Sequence, residues 1–81
     1  MKLTVKKPIF AESASMFVNR ASEYPGKILI KKDHWVIDAK SLLGLLALSL
    51  QPGQDVELDF EGEPDKEFIN AIVEAGLFEI K

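Results

Sequence analysis

Few groups in this chain are able to do covalent chemistry. It has one histidine, His34, and no cysteine, which excludes thiolate nucleophiles, disulfides and thiolate metal sites. His34 stands in Lys32-Asp33-His34, a polar break between two apolar runs, where an exposed turn histidine is expected; as a metal ligand it has only Asp33 beside it. Asp55, Glu57, Asp59, Glu61 and Glu63 put acids at every second position. That spacing lays carboxylates along a strand face instead of around an ion, and it lacks the spacing of an EF-hand. It reads as a solvated face that keeps a sheet from aggregating, so neither a metal nor a cofactor is expected. Ser41 stands directly before Leu42–Leu50 and is placed to cap a short helix, a contribution of about 1 kcal/mol.

These groups sit on elements the sequence marks clearly. With 81 residues, 47% of them hydrophobic and 28% charged, the chain is one globular domain, residues 1–81, held by packing alone. Lys2 to Lys6 alternates around Leu3 and Val5, as a strand with one buried face does. From Ala11 the period becomes helical, with Ala11, Ala14, Phe17, Val18 and Ala21 on the apolar face, until Tyr24-Pro25-Gly26 stops it. Ile28 and Ile30 mark a second strand, and Trp35-Val36-Ile37 the returning arm of a hairpin. Leu42–Leu50 is a short helix, Gln51-Pro52-Gly53-Gln54 a turn, and Asp55–Phe60 a final strand with Val56, Leu58 and Phe60 on one face. Pro64 suits the first turn of a last helix carrying Phe68, Ile69, Ile72 and Val73, with Gly76 as its C′ residue. The order β-α-β-β-α-β-α predicts an α+β open sandwich, a four-stranded antiparallel sheet with helices on one face.

Charge is divided along the chain. Residues 1–40 hold eight Lys/Arg against four Asp/Glu, net +4, and residues 41–81 hold two against nine, net −7, giving −3 in all. The basic half has a single arginine, Arg20, and no basic–aromatic interleaving, so nucleic acid is not an expected partner. The leucine-rich stretch is far too short to enter a bilayer as a span. Lysines in Met1–Lys7 with no apolar run after them argue against a secretory signal, and the expected compartment is the cytoplasm.

Leu42, Leu43, Leu45, Leu46, Leu48 and Leu50 cannot all face one core at 100° per residue. With Leu45 and Leu48 inward, Leu42, Leu43 and Leu46 form an outward patch beside Ser41. An exposed apolar cluster of this kind marks a protein contact, with a homo-oligomer interface as the competing use.

Asp38-Ala39-Lys40-Ser41-Leu42-Leu43-Gly44-Leu45-Leu46-Ala47-Leu48 resembles the regulatory-serine segment of the HPr phosphocarriers of the bacterial sugar phosphotransferase system, most of all in Gram-positive members. Pro52–Leu58 and Phe60-Glu61-Gly62-Glu63 resemble that family's last strand and its flanking turns, and Ala14–Val18 its first helix, so the likeness spans nearly the whole chain. It implies the HPr-like open-faced β-sandwich and a regulatory phosphorylation site at Ser41, served by a serine kinase. It also implies a partner-docking face made of Leu42, Leu43 and Leu46 with the first helix at Ala11, Glu12 and Ser15. A phosphate at Ser41 is expected to meet the N–H groups of Leu43 and Gly44, with Gly44 leaving room and Lys40 adding positive charge.

The catalytic loop departs from the family pattern. Aligning on Phe17-Val18 puts Phe10 at the phosphoryl-accepting histidine, Glu12 at the arginine and Ser13 at the proline. Phenylalanine has no nucleophilic atom, and Glu12 repels phosphate. The expected function is therefore that of a non-catalytic regulator or adaptor that binds a protein, not an enzyme. The alternatives are a phosphocarrier using another nucleophile, for which His34 is the one chemically similar group, and a self-associating structural module.

Overall fold

Alternation along the strands decides which face of the sheet is covered. In the computed structural model, which describes residues 1–81, Leu3 and Val5 of β1 (Lys2–Val5) are buried. So are Ile28 and Ile30 of β2 (Ile28–Lys32), Val56 and Leu58 of β4 (Asp55–Phe60), and Phe78 of β5 (Phe78–Ile80). The registers pair these residues across strands, Leu3 with Val56, Ile30 with Leu58 and Val5 with Phe78. One face is thus continuously apolar. With β3 (Trp35–Asp38) the sheet runs β3-β2-β4-β1-β5, antiparallel throughout.

The helices α1 (Glu12–Ser22), α2 (Leu42–Leu48) and α3 (Lys66–Glu74) cover that face with Ala14, Phe17, Ala21, Leu45, Leu48, Phe68 and Ile72. Phe17 of α1 packs edge-on to Phe68 of α3 at 5.1 Å between centroids and lies 5.6 Å from Phe78 of β5. Phe60 extends the aromatic run from Phe68 to Tyr24. Tyr24 Oη lies 2.8 Å from the carbonyls of both Glu61 and Glu63, pinning the Glu-Gly-Glu turn.

The structure corrects the sequence reading in four places. The sheet has five strands, not four: Phe78–Ile80 adds β5 beside β1, and three residues are too few to display an alternation. Pro64 lies before the last helix, because Asp65 is the N-cap and accepts from the N–H groups of Glu67 and Phe68. α2 ends at Leu48; Ser49 turns left-handed at φ 51°, and Leu50 enters the core from the following segment. Ala11 is an exposed residue preceding α1 at φ 53°, not part of its inner face. The expected close of α3 stands. Gly76, at φ 76°, allows a Schellman pair in which Leu77 N–H donates to the Ile72 carbonyl and Gly76 N–H to that of Val73.

The open sheet face carries charge. Lys31 pairs with Asp59, and Lys81 with Asp55 at 2.9 Å, where Thr4 Oγ1 also donates at 3.0 Å. The Lys81 and Thr4 hydrogen bonds hold the Asp55 carboxyl below its ordinary range, and the Lys31 bond does the same for Asp59. A depressed native pKa contributes stability that is present above the unfolded value of about 3.9 and is lost as pH falls through the native one. The denaturation midpoint should therefore hold level from pH 7 to about 5 and fall below about pH 4. A D55N/D59N double variant should lose less over the same acid range, and added salt should narrow the gap between the two proteins. Identical acid profiles would show that these pairs contribute nothing.

Candidate functional site

The segment into α1 is shaped by one backbone anchor and by the hydroxyl of Ser13. Ile9 is buried, and its N–H donates to the Leu50 carbonyl at 3.2 Å, anchoring the chain on the core. Phe10, next in line, is 64% exposed. Ser13 Oγ lies 3.1 Å from Phe10 N, from which it accepts, and its proton is within reach of the Pro8 carbonyl at 3.2 Å and the Phe10 carbonyl at 2.9 Å. Ala11 at φ 53°, ψ −123° occupies a region costly to a residue with a Cβ, of order 1–3 kcal/mol. No side chain caps α1, and Glu12 in its first turn places negative charge at the positive end of the helix dipole. The exposed Phe10 of this loop has no nucleophilic atom, and Ser13 Oγ is engaged in holding the turn.

Ala11, Glu12 and Ser15 are exposed and share a shallow groove along α1 with Met16, Asn19, Arg20 and Glu23. α2 packs against α1 and lies over the inner side of β3. Its position depends on Gly44: a Cβ there would overlap Ile37 Cγ2. A glycine at position 44 is therefore required by the packing of α2 on Ile37. Ser41 Oγ accepts from Gly44 N–H at 3.1 Å, the N-cap geometry, so that donor is already engaged. Lys40 does not face Ser41 with its charge, since its Nζ donates to the Tyr24 carbonyl at 2.6 Å. At the other end, Lys32 Nζ donates to the Leu48 carbonyl at 2.9 Å, meeting the negative end of the helix.

The leucines divide as their angular spacing demands. Leu45 and Leu48 are buried, Leu43 is 82% exposed, and Leu42 and Leu46 are exposed at 39% and 38%. Leu42, Leu43, Leu46, Ala11, Glu12, Ser15 and Phe10 all belong to the helical side of the sheet, on α1, α2 and the loop leading into α1. His34 is apart from them, exposed in the β2–β3 turn. Three features were missed in the sequence: Ser13 as the tie of the α1 loop, and Trp35 and Val36 as exposed side chains. A serine three residues after an apolar pair was the only signal for the first, and edge position is not written locally for the other two.

A family model described as the PTS HPr component phosphorylation site matches residues 1–76. The HPr-like protein Crh of Halalkalibacterium halodurans is 30% identical over 73 residues, covering 90% of this chain and 87% of that protein. The crystal structure of HPr-C-His from Thermoanaerobacter tengcongensis superposes with a TM-score of 0.78 at 31% identity, over 94% of this chain and 88% of that one. That of Bacillus subtilis Crh, described as a catabolite repression protein forming a dimer with a swapping domain, has a TM-score of 0.68 at 28% identity, over 93% and 90%.

The exposures set an order for substitution. Leu43→Ser should change stability by no more than about 0.5 kcal/mol, and Leu45→Ser or Leu48→Ser should cost at least about 2–5 kcal/mol. Leu42→Ser and Leu46→Ser should fall between, and Ser41→Ala should cost about 1 kcal/mol through the lost cap. Denaturant midpoints of the six variants check this; equal losses at Leu43 and Leu45 would make the patch ordinary core.

Proposed function

The chain belongs to the HPr family, and within it we propose a non-catalytic regulator or adaptor that binds a partner protein through the faces of α1 and α2. The observation that carries this reading is Phe10. It aligns with the family's phosphoryl-accepting histidine, has no nucleophilic atom, and is exposed beside the acidic Glu12. Phosphotransfer needs an imidazole and a positively charged setting for the phosphoryl group; both are lost together. In their place the same surface has an exposed aromatic side chain, with Leu42, Leu43 and Leu46 exposed on the neighbouring helix. Apolar side chains grouped on a surface serve contact, and aromatic ones serve as anchors. Ala11, Glu12 and Ser15 complete the docking face. Ser41 is its control point, carrying the family's regulatory phosphate when a serine kinase acts, and the added charge is felt first at Leu42 and Leu43.

Two alternatives differ in what they require. A phosphocarrier with another nucleophile must use His34, in a turn with Asp33 and no arginine beside it. Self-association has more support: Bacillus subtilis Crh is described as a dimer, and the patch is apolar enough to meet a second copy.

The test has two arms. Incubation with phosphoenolpyruvate and the general phosphotransfer enzyme should leave this protein unlabelled while a genuine HPr is labelled; acid-labile phosphate on His34 would replace the proposal with the first alternative. Incubation with a Gram-positive HPr serine kinase and ATP should add one phosphate, mapped to Ser41 by mass spectrometry. No incorporation would leave Ser41 a structural cap and the protein an adaptor without that switch.

A further inference from the structure

The two edges of the sheet are guarded differently. β5 is three residues long, with Glu79 paired to Lys6 and Lys81 following at once; shortness and charge are common protection for an edge. β3 has neither lysine nor proline within it, and its Trp35 and Val36 are 60% and 56% exposed.

Its backbone has a definite polarity. Ala39 N–H donates to the Ile28 carbonyl, which makes Ile28 and Ala39 a hydrogen-bonded pair of the β2–β3 ladder. Antiparallel pairs alternate, so with Ile30 opposite Ile37 and Lys32 opposite Trp35, those residues turn their backbone groups inward to β2. Val36 and Asp38 therefore point N–H and C=O out of the sheet. The Asp38 carbonyl is taken by Ser41 N–H at 2.9 Å, but both groups of Val36 lie on the open edge.

From this polarity, we infer that β3 pairs antiparallel with β3 of a second copy of the chain, about a two-fold axis through Val36. The inference rests on the self-association alternative but assigns the contact to the β3 edge instead of the leucine patch. In this register Val36 of each copy exchanges two main-chain hydrogen bonds with Val36 of the other. Trp35 lies opposite Ile37 in the close, non-hydrogen-bonded pair, on the side of α2. His34 lies toward Asp38 of the second copy on the open face, an imidazole donor toward a carboxylate. Asp38 Oδ1 is itself held by Lys40 N–H at 2.8 Å, and the exposed carboxylate is thereby fixed in place. Other registers fit worse: sliding one strand by two residues sets Asp38 against Val36, and by four sets Asp38 against its own copy. A slip by one residue turns outward groups against inward ones. Apolar residues on apolar ones and donor toward acceptor occur together only with the axis at Val36.

Val36→Pro separates this edge from every other surface, because the N–H it removes plays no part in the β2–β3 ladder. Sedimentation velocity on the full chain, from micromolar to millimolar concentration, should show a monomer–dimer equilibrium. Emission of Trp35, the only tryptophan, should shift to the blue as dimer forms. Val36→Pro and Val36→Lys should raise the dimer dissociation constant about tenfold or more and abolish the shift. Far-UV circular dichroism and melting should show both variants folded. His34→Glu should weaken the dimer and Asp38→Lys added to it should restore pairing, which a purely structural effect on the hairpin would not do. A protein monomeric at all concentrations overturns both this inference and self-association. A dimer indifferent to Val36→Pro, or lost on Leu43→Ser with Trp35 emission unchanged, overturns the β3 pairing alone.

Discussion

Phe17 is fully buried between Phe68 and Phe78, and this contact fastens α1 to α3 and to the last strand. A sheet apolar on one face needs helices to cover it, and an 81-residue chain without cysteine has only side-chain packing to hold them there. Edge-on aromatic contacts add about 0.5–1.5 kcal/mol each beyond the area they bury. Tyr24, Phe60, Phe68, Phe17 and Phe78 form an unbroken run that joins both long helices to β4 and β5. Of the five phenylalanines only Phe10 stands outside it, on the surface at the start of α1.

α2 is held by a different device. Its contact with β3 is so close that only a glycine fits over Ile37, and its ends are met by Ser41 at the start and Lys32 at the finish. A seven-residue helix has little intrinsic stability. Burial of Leu45 and Leu48 and these two end contacts keep it in place, which leaves Leu43 free of any structural duty. The same economy is visible before α1, where Ile9 and Ser13 keep the loop shaped. The shape of this surface is held by backbone anchoring and by Ser13, without help from the exposed Phe10 side chain.

The sequence by itself determined the α+β class, the helical cover and the division of leucines in α2, because all three follow from periodicity, and period is a local property. That Phe10 has no nucleophilic atom is legible there too, since it follows from residue type alone. Tertiary structure alone decided what depends on distant neighbours. Phe78–Ile80 became a strand only because β1 offered a free edge, and position 44 needs a glycine because Ile37 of β3 lies against α2. Lys40 turned to Tyr24 because the end of α1 lies within its reach. Trp35 and Val36 read like core residues of a hairpin. They are exposed because the strand order puts β3 at the margin of the sheet, and strand order is fixed by pairings made across the whole chain.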